Sequence, residues 1–409
     1  MGSLRALAFT SYAHFVNDGF YLLFPLLITY YSEIPGIKIS FLGFIAVIYA
    51  VLSGVLSPKM GSLADSRDND AAMIGIGLSI YAAAVAVLVM PFVFHAYFYY
   101  LVILGAAVLG VAQSFYHPIG AAILSYSFKK DAAEKMGING SAGSLGRSIV
   151  SGLFVLGVAA LGIYTGMFLL AAFALVSSII IYAGLSGFRR RTGGKRPKVA
   201  ANRAVMKKEA KKYRGFITTL MAVVFMRAMF LAGTVTFIPK YLDIVLKSNV
   251  LMGSVVSVSF FFAVVGQLAF GYITDKKGGR FSLVLTSVVP GIAFALFLLV
   301  GNNALLLAVT YSVFTFFGFT GFPVLLGYVN QAVPKSISAT AGGDVWGIGQ
   351  YIGNGAGIAV ISALILFISV HYALWLMLVF LIPSVVLIAF LPERGRLRSS
   401  HVRVHMHNV

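Results

Sequence analysis

The chain has 409 residues, 59% hydrophobic and 11% charged, with 31 Lys/Arg against 12 Asp/Glu, a formal net charge of +19 and no cysteine. Its mean hydropathy is +0.93. Soluble domains carry about 25% charged residues, so the composition is that of an integral membrane protein. The lack of cysteine excludes disulfides, thiolate metal centres and cysteine nucleophiles.

Apolar runs long enough to cross a hydrocarbon layer of about 30 Å fall at 8–30, 41–64, 72–93, 97–125, 137–160 and 164–187. Six more fall at 216–238, 249–273, 281–300, 303–331, 338–367 and 371–391. The expected fold is all-α: twelve transmembrane helices in two pseudo-symmetric six-helix bundles, 1–187 and 216–391. A basic cytoplasmic linker, 188–215, joins the bundles, and a cytoplasmic tail, 392–409, follows. The first run continues past signal-peptide length, so no cleavable leader is expected.

Loop charge orients the chain. Arg67, Lys129, Lys130, Lys135, Lys276, Lys277, Arg280 and Lys335 follow even-numbered runs, whereas Lys38, Lys240 and Lys247 lie on the opposite side. By the positive-inside rule both termini are cytoplasmic, in a multi-pass protein expected in the plasma membrane. Residues 188–214 alone hold twelve Lys/Arg and one Glu. Such a distribution argues for contact with anionic lipid and against a nucleic-acid partner. Arg189 to Lys198 reads as flexible; Val199 to Arg214 suits either a basic surface helix or a disordered tether. Gly194-Lys195-Arg196 lacks the glycine spacing and the Ser/Thr of a phosphate loop. Any active transport is therefore gradient-driven, with no cofactor beyond a proton gradient.

Polar groups inside the apolar runs are the candidate site, because a charge in hydrocarbon costs at least about 2.5–3.5 kcal/mol. The first run carries His14, Asn17, Asp18 and Tyr21 at offsets that share one helix face. His14 and Asp18, four apart, can share a proton; they can also be a hydrogen-bonded packing pair. The second run ends in Gly61-Ser62-Leu63-Ala64-Asp65-Ser66-Arg67. The fourth carries Gln113 and His117, again four apart, with Pro118 removing a backbone donor. In the fifth, Arg147 lies toward the cytoplasmic end and suits a gate or an anion site. In the seventh, mid-span Arg227 can pair with Asp18, neutralising both, or offer its planar fork to an anion. Asn330 and Gln350 add hydrogen-bonding groups. The eighth run ends in Gly271-Tyr272-Ile273-Thr274-Asp275-Lys276-Lys277-Gly278-Gly279-Arg280, a second copy of the turn after the second run. Asp344 enters the eleventh run at gate depth. Glycines crowd the fifth and eleventh runs, giving smooth faces where helices approach and two halves can slide.

Twelve spans, a basic central loop and a duplicated Gly…Asp…basic turn resemble the major facilitator superfamily. In that family the turn's Asp packs against a neighbouring helix start, and its basic residues pair with acids when the cytoplasmic side is shut. The resemblance implies gating roles for Asp65, Arg67, Asp275, Lys276 and Arg280, with Asp131 or Glu134 as acidic partners. The first copy departs from the pattern at Asp68-Asn69-Asp70. Ala13-His14-Phe15-Val16-Asn17-Asp18, Ser114-Phe115-Tyr116-His117-Pro118 and the Ser/Gly-rich Met136 to Gly146 resemble the fosmidomycin-resistance branch, taken to be proton-driven drug exporters.

The expected function is secondary transport by alternating access, coupled to protons, with the site at mid-membrane between the halves. His14, Asp18 and Arg227 carry coupling and charge recognition. Asn17, Tyr21, Gln113, His117, Arg147, Asn330 and Gln350 complete the site. Two deep arginines against one deep aspartate imply a small anionic or zwitterionic substrate; an amphiphilic drug is the alternative. A channel or sensor on the same scaffold is the second reading. An enzyme is not expected, since no nucleophile or metal cluster accompanies His14 and Asp18. A monomer without resident metal is expected.

Overall fold

In hydrocarbon no solvent pairs with backbone N–H and C=O groups, so spanning segments must bond internally. The computed structural model describes residues 3–67, 69–128, 131–188 and 211–393, and every regular element among them is a helix. Lys129, Lys130, most of the basic linker and the tail from 394 lie outside those residues, as do the side chains of Asp65 and Lys335.

The first apolar run holds α1 (Ser3–Gly19) and α2 (Leu23–Tyr31). Then come α3 (Ile39–Arg67), α4 (Asp70–Val89), α5 (Phe98–Phe128) and α6 (Ala132–Leu185). After the linker follow α7 (Arg214–Leu246), α8 (Asn249–Lys277), α9 (Gly279–Leu299), α10 (Ala304–Gly318) and α11 (Gly321–Ala332). The described residues close with α12 (Lys335–Asp344), a π-helical segment (Val345–Ile352), α13 (Gly353–Leu364), α14 (Val370–Met377) and α15 (Leu381–Ile388).

Among the described residues nine helices are long and apolar enough to cross a membrane. Several of the expected runs depart from a single unbroken helix each, among them the following, for local reasons. The run 8–30 is interrupted after Asp18, where Tyr21 N donates to Asp18 O at 3.0 Å and Leu23 N to Phe20 O at 3.1 Å. The runs 137–160 and 164–187 merge into α6, broken only at Gly162, whose φ of 82° suits a residue without Cβ. The run 338–367 is divided by the π-helical segment.

Helix α1 packs on α6, α3 on α5, and α4 on both α5 and α6; beyond the linker α7 packs on α13 and α15, and α8 on α10. Segments before and after the linker meet where α6 touches α8, α3 touches α13 and α2 touches α7. The crowded glycines serve mainly other contacts than the sliding faces expected of them. A Cβ on Gly146 would fall 2.0 Å from the Phe15 carbonyl oxygen of α1, and one on Gly357 2.1 Å from that of Met229 in α7. Their small size lets α6 close on α1 and α13 on α7, within the same side of the linker. Gly140, Gly152 and Gly355 are exceptions, facing Gln267 and Ser257 of α8 and Val51 of α3.

Irregular backbone at membrane depth is tolerated where it lines a cavity. The breaks after Asp18, at Phe319–Thr320 and at Val345–Ile352 all border one cavity of about 970 Å³.

Candidate functional site

The cavity runs from Tyr21, Tyr49 and Phe319 in the interior to Ser125, Met136 and Ser338 at the ends of helices that adjoin the basic loops. At the opposite end the helices meet. A Cβ on Gly43 of α3 would lie 3.0 Å from Ser362 Cβ of α13, and Asn249 Nδ2 donates to Glu33 Oε1 at 3.3 Å. Of the ten residues expected at the site, all line this cavity: His14, Asn17, Asp18, Tyr21, Gln113, His117, Arg147, Arg227, Asn330 and Gln350.

Asp18 is the centre of the first side of the cavity. It is 3% exposed, in the last turn of α1, and four side chains converge on its carboxylate. Arg147 Nη2 donates to Oδ2, and His14 Nε2 lies 3.2 Å from the same oxygen. Asn17 Nδ2 donates to Oδ1 at 3.0 Å, and His117 Nε2 lies 3.5 Å from it. A carboxylate offers about four lone-pair sites, so the group is saturated. Asn17 is itself held by Tyr81, whose hydroxyl donates to Asn17 Oδ1 at 2.9 Å.

Of the two readings of Arg227, the pair with Asp18 is not formed. Arg147 takes the carboxylate, because α6 and not α7 packs along α1. Gly143 permits that approach: a Cβ there would lie 2.6 Å from the His14 ring and 2.8 Å from Asp18 Oδ2. The Arg147 guanidinium also sits over the rings of Tyr21, at 5.0 Å, and Phe319, at 5.7 Å. Its Nε is buried without a hydrogen-bond partner among the described residues.

Arg227 is 2% exposed and faces the cavity from α7. Nε donates to the Thr286 carbonyl at 3.2 Å and Nη2 to the Gly318 carbonyl at 2.6 Å. No carboxylate pairs with it among the described residues. Nη1 points at Gly321, where a Cβ would lie 3.2 Å away. The two arginines are thus unlike: one is neutralised by Asp18, the other held by carbonyls that leave its charge uncompensated.

His14, Asp18 and His117 offer ligand atoms within 4.8 Å of one another, a spacing a metal ion could use. The fixed cation of Arg147 on Asp18 opposes a second cation there. Chemically the cluster is better suited to holding and moving a proton.

Several members escape sequence reading. Asn139 Oδ1 lies 2.8 Å from His14 Nδ1 and 2.9 Å from the Tyr116 hydroxyl, so it orients the histidine. Asn139, Gly143 and Arg147 recur every four residues, a one-face spacing that could have revealed it. Tyr81 and the aromatic groups of the π-helical segment carry no such signal.

The expected gate residues are mostly solvent-facing. Arg280 Nη1 donates to Glu393 at 2.6 Å and Nη2 to the Ala389 carbonyl at 3.2 Å, both at the chain's far end. Glu134 pairs with adjacent Lys135 at 2.7 Å, not with a turn residue, and Asp131 is exposed. Arg67, Asp275 and Asp344 are exposed, and Lys276 lies 5.7 Å from the Tyr272 ring centre. Gln331 holds the second turn instead, accepting from Gly279 N at 3.0 Å and donating to the Thr274 carbonyl at 3.0 Å. Asn330 is exposed at the cavity mouth and bonded to Ser338; Gln350 Nε2 donates to Asn354 Oδ1 at 3.1 Å.

No curated protein matches the chain. A family description, Major Facilitator Superfamily, matches residues 11–343.

Proposed function

Because the chain belongs to the Major Facilitator Superfamily, we propose that this transporter is a proton-coupled secondary carrier of a small anionic or zwitterionic organic molecule, working by alternating access. The supporting observation is the saturated Asp18 carboxylate facing a cavity that also holds the uncompensated Arg227. The groups around Asp18 are Arg147, His14, His117, Asn17 and, further out, Tyr21, Tyr81 and Tyr116. A proton arriving on Asp18 removes the charge that holds Arg147. The freed guanidinium, with its spare Nε donor, then joins Arg227 in binding an anion. Return of Arg147 to deprotonated Asp18 expels that anion, so proton and substrate states are linked through one side chain.

On this reading the six runs before and the six after the linker form two bundles, with both termini cytoplasmic in the plasma membrane. The cavity then opens to the cytoplasm, and the contacts of Gly43 with Ser362 and Glu33 with Asn249 close the outer side. The basic turns fall on the open side. Proton and anion then move together, as a symport; the proton-driven drug export of the fosmidomycin-resistance branch requires the opposite coupling, in which the proton displaces the substrate, and stands as the second reading.

Thermal stabilisation across phosphonates, organic acids, amino acids and cationic drugs selects a ligand, since binding raises the melting temperature by mass action. Saturable counterflow of that ligand, labelled, in proteoliposomes supports a carrier. Ohmic conductance without counterflow overturns it in favour of a channel.

A further inference from the structure

The wall beyond Arg227 is aromatic, and its backbone is unusual. In the π-helical segment, which holds Trp346 and Tyr351, hydrogen bonds run from residue i to i+5, a wider turn than that of the α-helix. Both line the cavity. Tyr351 is seated on α3, where a Cβ on Gly54 would fall 2.8 Å from its own Cβ. Phe322 stands edge-on to Trp346, with ring centres 5.4 Å apart and planes at 88°. Such an arrangement leaves an aromatic edge and an aromatic face for a third ring at a right-angle or offset approach.

This wall is contiguous with the anion site. Arg227 Nη1 points at Gly321, and Gly321 precedes Phe322 by one Cα step of about 3.8 Å. In an α-helix of 3.6 residues per turn, side chains five apart fall on different faces. The π-helical segment presents both rings to the cavity.

We propose that residues Phe322, Trp346 and Tyr351 form a ring-binding subsite, so that the transported anion carries an aromatic group whose acid sits on Arg227. This rests on the anionic-substrate reading above and narrows it. The acid and the ring would be separated by a short linker, as in an arylmethyl phosphonate or an arylacetic acid. The apolar character of the wall rejects purely hydrophilic anions by leaving it bare when they bind.

Trp346 and Trp375 are the only tryptophans in the chain. Trp375 donates from Nε1 to His371 at 3.2 Å, away from the cavity lining. The full-length Trp375→Phe protein therefore reports on Trp346 alone. Benzylphosphonate is expected to change its fluorescence saturably and to bind about tenfold more tightly than butylphosphonate in competition. Arg227→Gln should weaken benzylphosphonate binding by about tenfold. Trp346→Leu, monitored by thermal shift because it lacks the reporter, should abolish the preference for benzyl over butyl while keeping the melting temperature of the ligand-free protein. Equal binding of the two phosphonates overturns the ring subsite and leaves the anionic reading standing. Binding of benzyltrimethylammonium in preference to either phosphonate overturns both. Failure of every probe to bind overturns the ring subsite as well.

Discussion

Arg147 of α6 donates to the carboxylate of Asp18 in α1, 129 residues earlier in the chain. Both side chains are largely buried, at 16% and 4% exposure. Removing one partner of a buried pair costs more than the pair itself contributes, because an uncompensated charge remains. Arg147→Gln or Asp18→Asn alone should therefore destabilise the protein by about 3–5 kcal/mol. The double variant should recover a large part of that loss. Melting curves of the four proteins, closed as a double-mutant cycle, check the coupling; strictly additive losses would contradict it.

Gly143 has a different importance from its neighbours. Alanine there would press on the His14 ring and on Asp18 Oδ2, at 2.6 and 2.8 Å. Overpacking of this kind costs about 1–3 kcal/mol, and here it displaces the coupling residues themselves. Gly143→Ala should lose most transport. Gly137→Ala, with nothing within 4 Å of the added methyl, should keep transport and gain up to about 1 kcal/mol from helix propensity. Reconstituted transport rates and melting temperatures of the two variants separate the effects.

Much of this site is legible in the sequence, and the reasons for the rest are physical. His14, Asn17, Asp18 and Tyr21 share a face by spacing alone, and all four reach the cavity. The choice of arginine is not legible, because it depends on which helix packs along α1. Gly143 and Gly146 decide that, and glycine carries no sign of which backbone will approach it. The turn motifs reveal duplication, yet Arg280 bonds to Glu393 at the chain's far end. The π-helical segment leaves no periodic trace, since hydropathy patterns at 338–367 fit an ordinary helix.

Arg227 should tolerate lysine poorly. Its planar fork reaches Thr286 and Gly318 carbonyls at once and leaves Nη1 toward the cavity. A lysine keeps the charge but presents one compact ammonium. Arg227→Lys should raise the KM for an anionic ligand by about tenfold, a cost of about 1.4 kcal/mol, with little change in melting temperature. Concentration-dependent counterflow measures it.

The natural absence of cysteine permits a direct test of movement. Gly43 and Ser362 would bring Cβ atoms within 3.0 Å across α3 and α13. Disulfides favour Cβ separations of about 3.5–4.5 Å, a small adjustment from this geometry. Oxidising Gly43→Cys/Ser362→Cys should hold that side shut and stop transport, and a reductant should restore it. Undiminished transport by the fully cross-linked protein would contradict alternating access through this contact.

The central claim is that proton and substrate are linked through Asp18. Its most direct measurement is uptake of the labelled, stabilising ligand into proteoliposomes with and without an imposed pH gradient, for the native protein and for Asp18→Asn. The account predicts gradient-driven accumulation by the native protein. It predicts that Asp18→Asn retains counterflow at zero gradient but no longer responds to pH. Native uptake indifferent to the gradient, or an Asp18→Asn protein that still accumulates ligand against its concentration in response to it, would contradict the account.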